Sequence, residues 1–272
     1  MEWKNIYRGF LMGISDLIPG VSGGTIAFIL GIYDRLLIAI SGFFSREWKK
    51  HIGFLLPLGI GVGLTLVLFS KLINFLLENY EQPTQFFFLG LIIGVVPFIS
   101  KQAGVKKNFT IGHYVLLIVV GVALASTVFI KPADAVIITS LTMQNALGLF
   151  FAGWAGSMAM LLPGVSGSFI LLLLGVYATA INALSTLNLP IIVVIGAGVI
   201  VGFIASSKII HYLLNTYTYA MFAIIIGLIL GSVFVIYPGI PDSGTPFVMS
   251  VVALITGLIV ANMFNAADPS EK

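Results

Sequence analysis

Leu17-Ile-Pro-Gly-Val-Ser-Gly23 recurs as Leu161-Leu-Pro-Gly-Val-Ser-Gly167, with six identities in seven at an offset of 144 residues. Self-similarity at this level marks an internal duplication, and the match extends outward from the motif. Gly9 aligns with Gly153, Gly31 with Gly175 and Tyr33 with Tyr177. At an offset of 137, Lys71 aligns with Lys208, Leu76-Leu77 with Leu213-Leu214, Gly90-Leu91 with Gly227-Leu228, and Gly94 with Gly231. Gly121 pairs with Gly257 at 136. The repeat therefore covers nearly the whole chain, as halves of about 1–134 and 135–272.

Both copies sit in apolar surroundings. Of 272 residues 59% are hydrophobic and 8% charged, whereas soluble domains carry roughly 25% charged residues. Stretches free of Asp, Glu, Lys and Arg give the spans: 51–70, 82–100, 108–130 and 243–267 hold 20, 19, 23 and 25 residues. Each matches the roughly 20 residues that a helix needs to cross a bilayer. Between Asp134 and Lys208 lie 73 residues without one charge, enough for several membrane elements in succession. The expected fold is an all-α polytopic membrane protein.

Within each half the pattern reads as one broken segment, 9–42 and 146–185, followed by three plain spans: 52–70, 84–100 and 111–130, then 190–207, 219–236 and 247–265. A half-helix over 9–18 is about 15 Å long, half the hydrocarbon thickness. The chain is then expected to turn at Pro19-Gly-Val-Ser-Gly-Gly24 and return to the side it came from, as a re-entrant hairpin. A hairpin plus three crossings is odd, so the second half should be inserted upside down, giving two inverted-topology repeats. The charges agree. With both termini in the cytoplasm, Lys4, Arg8, Arg35, Arg46, Lys49, Lys50, Lys101, Lys106, Lys107, Lys208 and Lys272 lie inside, and only Lys71 and Lys131 outside. This satisfies the positive-inside rule. The N-terminal M-E-W-K-N-I-Y-R runs into the first apolar segment without an A-x-A-like cleavage site, so no removable signal peptide is expected.

Several chemistries are excluded or disfavoured. There is no cysteine, hence no disulfide, thiolate metal site or cysteine nucleophile. His51, His113 and His211 are scattered without metal-ligand spacing and read as structural or interfacial. No G-x-x-x-x-G-K-[ST] is present, so energy would come from an ion gradient or from the substrate's own gradient. The net charge of +3 reflects topology more than an anionic partner, and neither a cofactor nor a nucleic acid is implied.

What the breaks imply is a polar site. An interrupted helix in lipid leaves N–H and C=O groups without partners, so such backbone survives only around protein or a water-filled cavity. Pro19 and Pro163 bias the preceding residue away from helix, and Ser22 and Ser166 suit N-caps of the returning half-helices. Paired interruptions in corresponding segments point to a transporter's substrate site, and exposed N–H groups there suit an anion. Small residues simply allowing tight helix packing are the bland alternative. Asp16, Arg8 and Arg35 align with Met160, Ala152 and Thr179, so only the first motif carries charge. Asp16 is expected to be a coupling or gating carboxylate, or else half of a structural pair with Arg8 or Arg35. The arginines would snorkel at the cytoplasmic mouth or hold phosphate in bidentate contact.

Arg8-Gly-x-x-Met-Gly-x-Ser-Asp-x-Ile-Pro-Gly-Val-Ser-Gly-Gly-Thr25, with Pro163-Gly-Val-Ser-Gly-Ser168, resembles the bacterial polyprenyl-phosphate transporter family over essentially the full chain. The resemblance implies a protein of the bacterial cytoplasmic membrane that returns undecaprenyl phosphate, the lipid carrier of cell-wall precursors, from the outer to the inner leaflet. By that resemblance Arg8, Ser15, Asp16, Pro19, Gly20, Ser22, Gly23, Gly24 and Thr25 are candidates for the first re-entrant tip and Pro163, Gly164, Ser166, Gly167 and Ser168 for the second; the expected phosphate-binding positions are Arg8, Ser15, Gly20, Ser22, Gly23, Gly24, Thr25, Gly164, Ser166, Gly167 and Ser168, joined by Arg35 at the exit of the hairpin, with Asp16 coupling or gating. Partners would be undecaprenyl phosphate, membrane lipids and H+ or Na+ as coupling ion; oligomeric state stays open. The alternative is an anion or small-solute channel or permease using the same tips. An intramembrane hydrolase is disfavoured, because neither Ser22 nor Ser166 has a histidine or lysine nearby in sequence to serve as base.

Overall fold

The computed structural model of the chain describes residues 1–16, 22–43, 45–130, 137–241 and 244–266, all of them helix or connecting turn with no strand among the described residues. The first half contains α1 (Asn5–Asp16), α2 (Gly23–Ile29), α3 (Tyr33–Ser41), α4 (Trp48–Asn79), α5 (Glu81–Gln102), the short α6 (Val105–Asn108) and α7 (Ile111–Ala125), which tightens into a 3-10 turn at Ser126–Phe129. The second contains α8 (Met143–Leu161), α9 (Gly167–Leu173), α10 (Tyr177–Ser185), α11 (Leu189–Thr216), α12 (Thr218–Ile236) and α13 (Thr245–Ala266). Five helical stretches among the described residues are long and apolar enough to cross a membrane: α5, Ile111–Phe129, α11, α12 and Thr245–Met263 within α13. The span expected at 52–70 lies inside the 32-residue α4.

Both broken segments contain a further interruption that the sequence reading did not include. The limb after each motif is a seven-residue helix, then a turn, then a nine-residue helix, rather than one half-helix. Gly31 and Gly175, equivalent at the 144 offset, make these turns at φ +64° and +70°, a region that L side chains avoid. The bend between α9 and α10 is 112°. The first limbs also differ in length: α1 has 12 residues and α8 has 19, or about 18 and 28 Å.

Packing follows small residues, as expected where lipid removes the hydrophobic drive between helices. α1 runs along α4 from Glu2, whose N–H donates to the Gly53 carbonyl at 2.9 Å, to Gly13 against Thr65. A Cβ on Gly9 would overlap the Leu58 carbonyl, and one on Gly61 would overlap that of Ile6. The second half repeats these contacts: Gly153 lies on the Ile195 carbonyl and Gly198 on that of Phe150. Leu58 and Ile195 are separated by 137, Ile6 and Phe150 by 144, so both contacts recur at the offsets of the duplication. At the third contact the sizes exchange, with Gly13 against Thr65 in one half and Ser157 against Gly202 in the other. Across the halves, Gly90 abuts the Leu254 carbonyl and Gly94 the side chain of Ala261, while Gly227 abuts the Leu117 carbonyl and Gly231 the side chain of Leu124. In all four pairs, α1 with α4, α8 with α11, α5 with α13 and α7 with α12, residue numbers rise together, so the partners are parallel. α1 and α4 therefore begin at the same end. The shared core lies between the halves, with Leu37, Phe54, Val95, Ile99, Ile225 and Ile229 fully enclosed.

Candidate functional site

The two motifs meet. α1 stops at Asp16, whose Oδ1 accepts the N–H of Gly23, the first residue of α2, at 2.8 Å. A Cβ on Gly23 would lie 2.8 Å from that same oxygen, so the carboxylate closes on the backbone only because the residue is glycine. Ser22 caps α2, its Oγ accepting the Gly24 N–H at 3.2 Å and donating to the Leu162 carbonyl at 3.2 Å. Thr25 Oγ1 accepts the N–H of Gly164 at 2.9 Å, and the Tyr33 hydroxyl donates to the Leu161 carbonyl at 2.8 Å. A helix end leaves carbonyls and N–H groups unmatched. Here the groups orphaned where α8 breaks are satisfied by three hydroxyls from the first half.

The second break is built differently. Ser166 stands at the N-cap of α9 but makes no capping bond, so the role expected for it by analogy with Ser22 is not fulfilled; its Oγ lies 2.9 Å from Ser168 Oγ instead. Around this pair is a cavity of about 240 Å³. Asp16 and Ser22 form one wall, Val165, Ser166, Gly167, Ser168 and Leu171 a second, and Gly153, Gly156, Ser157 and Met160 of α8 with Val199 of α11 the rest. Its volume equals roughly eight waters, enough for a small polar headgroup and far too little for a long hydrocarbon tail. Asp16 is the only titratable side chain among the described residues of the lining.

Of the positions singled out in the sequence, Asp16, Ser22, Ser166, Gly167 and Ser168 line this cavity. Gly23, Gly24, Thr25 and Gly164 form the hydrogen-bonded frame beside it. Ser15 turns back to its own helix, donating to the Met12 carbonyl at 2.6 Å. Gly20, like Pro19, lies outside the described residues. Neither arginine pairs with Asp16. Arg8 donates to Asn5 Oδ1 at 2.9 Å and leaves its Nε without a partner, while Arg35 is bound to Glu2 with its guanidinium 4.9 Å from the Phe54 ring. The cluster expected near the motif is thus two separate sets, a cavity at the breaks and a basic pair toward the end where α1 begins. The histidines fit structural roles: His113 Nδ1 accepts the Thr110 N–H at 3.0 Å, and His211 approaches Asp34 at 3.5 Å. No group of three metal-ligating side chains occurs among the described residues.

Sequence reasoning missed Tyr33 as a brace and Ser157 and Met160 as lining. Tyr33 carried a signal in its match to Tyr177 at the motif's own offset, but a tyrosine in an apolar segment is ordinarily an interfacial anchor. Met160 could have been found as the counterpart of Asp16.

A helical membrane protein with a cavity of headgroup size, walled by two copies of one motif and too small for a lipid tail, is of the class that handles small or headgroup-sized solutes. Residues 12–245 match the family described as undecaprenyl phosphate translocase-like. The chain is 44% identical over 269 residues to the polyprenyl-phosphate transporter of Staphylococcus aureus, covering 96% of this chain and 95% of that one. It is 35% identical over 252 residues to the polyprenyl-phosphate transporter of Vibrio cholerae serotype O1, covering 88% and 79%. No solved structure matches it. The chain belongs to the undecaprenyl phosphate translocase-like family.

Proposed function

We propose that this protein carries polyprenyl phosphate across the bacterial cytoplasmic membrane, returning undecaprenyl phosphate from the outer to the inner leaflet for reuse in envelope synthesis. The observation that carries this reading is the cavity in which Ser22 of one motif faces Ser166 and Ser168 of the other. A phosphate monoester dianion has only acceptors to offer, and the Ser166 and Ser168 hydroxyls, which bond each other, can rotate to donate to it. The headgroup would sit there while the prenyl tail stays in lipid, which fits a cavity of headgroup size. The protein moves its substrate rather than changing it: the partners of the Ser22 hydroxyl are the Leu162 carbonyl and the Gly24 N–H, neither of them a base.

The architecture we propose is two inverted repeats, 1–134 and 135–272, each opening with a re-entrant hairpin, with both termini cytoplasmic. The parallel run of α1 with α4, and of α8 with α11, supports it, because a full crossing by the broken segment would make each pair antiparallel. In this arrangement Arg8 and Arg35 lie at the cytoplasmic mouth, where the unpartnered Arg8 Nε suits a phosphate arriving or leaving. Asp16 serves as the coupling or gating group. A carboxylate and a phosphate in one low-dielectric cavity repel strongly, so occupancy would require Asp16 to take up H+, bind Na+ or swing away. Reconstitution in liposomes carrying undecaprenyl phosphate in one leaflet tests the function. Exchange between leaflets should slow when Ser166 and Ser168 are both replaced by alanine; ion flux with no lipid-phosphate exchange would replace the reading with a channel.

A further inference from the structure

We infer that the cavity takes its headgroup sideways from the bilayer, past Met160 and under α9, and that Met160 is the residue that leaves this mouth free to open. The inference rests on the lipid-phosphate reading above and adds to it the route of entry and the side chain that sets access.

One position straps both breaks, with different chemistry in each half. A Cβ on Gly23 would lie 2.8 Å from Asp16 Oδ1, and a Cβ on Gly167 would lie 2.5 Å from Met160 Cγ. These are repeat equivalents at the 144 offset, so in each half the side chain seven residues earlier lies across the glycine that opens the short helix. Asp16 turns the contact into a bond by accepting the Gly23 N–H, and Ser22 and Thr25 add bonds to the Leu162 carbonyl and the Gly164 N–H. α2 and its cap are thereby fastened both to α1 and to the second half. Met160 offers Gly167 only a thioether, a weak acceptor. Among the described residues no hydrogen bond joins α9 to another helix, and the Ser168 hydroxyl bonds only its neighbour Ser166. α9 rests on α8 through contacts such as Gly167 on the Gly156 carbonyl and Leu171 on Gly156. Contacts of that kind are individually weak and are remade after a small shift.

This loosely held helix is also what stands between the cavity and lipid. Residues 169–173 of α9, Phe-Ile-Leu-Leu-Leu, are all apolar, and none of them is buried. In a chain of this composition such a face is turned to hydrocarbon. Within the lining, Ser22, Ser157, Ser166 and Gly167 are buried, whereas Ser168 is exposed and Met160 is 42% exposed. Met160 and Ser168 therefore stand at the rim of the cavity and the others at its floor. A headgroup that displaces Met160 meets the Ser168 hydroxyl first and that of Ser166 next, while its tail lies along the apolar face of α9. Methionine suits the rim, because its unbranched, flexible chain moves aside by rotamer changes alone. An acceptor at that position would hold Gly167 as Asp16 holds Gly23, and the mouth would stay shut.

The chain has no cysteine, so Met160→Cys gives the full-length protein a single thiol. Reconstituted in liposomes, this variant is treated with a lipid-soluble maleimide in the presence of undecaprenyl phosphate, undecaprenol or inorganic phosphate. Undecaprenyl phosphate at about ten times its Kd should slow labelling about tenfold, and the other two should leave the rate unchanged. Exchange of undecaprenyl phosphate between leaflets supplies the second measurement. Met160→Asn, which brings an acceptor to the place of Asp16, should slow exchange about fivefold for one hydrogen bond; Met160→Leu, apolar and of similar volume, should slow it by less than about twofold. Protection by inorganic phosphate equal to that by the lipid would put the mouth on water, and equal protection by undecaprenol would show the tail alone covering it; either overturns headgroup entry past Met160. No protection by any of the three, or leucine slowing exchange as much as asparagine, also overturns the inference while the transporter reading stands, provided the wild-type chain exchanges lipid phosphate. A wild-type chain that exchanges none would overturn that reading instead. Should the asparagine variant fail to fold, the cysteine measurement decides alone.

Discussion

Replacing Thr25 with valine tests whether the first half holds the second motif in shape. Thr25 is 2% exposed, and its Oγ1 is the acceptor for the Gly164 N–H at 2.9 Å. Valine keeps the branched shape, removes the acceptor and leaves that N–H buried without a partner, at about 1–3 kcal/mol. Serine keeps the acceptor and loses one methyl, at about 0.8 kcal/mol. Taking about 2 kcal/mol for valine, the two variants differ by about 1.2 kcal/mol, or about 2–5 °C in melting temperature for a chain of this size. Thermal unfolding in detergent, followed by a buried-thiol dye on a cysteine introduced at an interior position, would resolve the difference. Lipid-phosphate exchange should fall with valine and persist with serine, because Gly164 sits in the break that shapes the cavity wall. A valine variant melting at or above the serine variant, with exchange intact, would show that the Thr25 to Gly164 bond does not hold the break and that the frame around the cavity has been misread.

Three further sets of substitutions follow from the geometry. Gly61→Ala and Gly198→Ala drive a methyl into the carbonyls of Ile6 and Phe150 and should each cost about 1–3 kcal/mol or more; Gly59→Ala and Gly63→Ala, with nothing within 4 Å, should be neutral or stabilising by up to about 1 kcal/mol in the same melting assay. Gly31→Ala and Gly175→Ala should each lose about 1–2 kcal/mol through left-handed backbone strain, with asparagine milder at both positions; equal melting of the alanine and asparagine variants would deny the strain. Asp16→Asn retains an oxygen for the Gly23 N–H and should change stability by less than about 1 kcal/mol, while lipid-phosphate exchange loses its response to an imposed pH or sodium gradient; a surviving response to either would remove Asp16 from coupling.

Much of this was legible before any coordinates, and what was legible shares one property: it is written in contiguous sequence or at a fixed offset. Apolar runs gave α5, α7 and α11 to α13 to within a few residues, except that α11 runs on to Thr216. The doubled motif marked both breaks, and the cap at Ser22 was readable from residue type. The second turn at Gly31 and Gly175 was in view as a repeat match, but a lone glycine in an apolar segment does not announce its φ. For Asp16 the sequence offers a coupling or gating role or a pair with Arg8 or Arg35, whereas the structure gives it a backbone N–H seven residues on. No sequence distance separates those outcomes: the chain must turn back on itself before Gly23 is a neighbour at all.

The departures from symmetry carry a different kind of information from the matches. Read singly, Met12 opposite Gly156, Ala27 opposite Leu171, Gly13 opposite Ser157 and Asp16 opposite Met160 look like decay of an old duplication. Placed in space, the third is matched by Thr65 exchanging with Gly202 across the same contact, so that the sum of sizes there is kept. Drift has no reason to conserve the sum across two helices, whereas close packing does. Asp16 has no such compensation, since Met160 supplies neither charge nor acceptor of comparable strength. It follows that the two halves are alike in how they pack and unlike in how they handle charge. A carboxylate at position 16 and none at its counterpart Met160 leaves the cavity with an acidic wall on the side of the first motif and only hydroxyls on the side of the second.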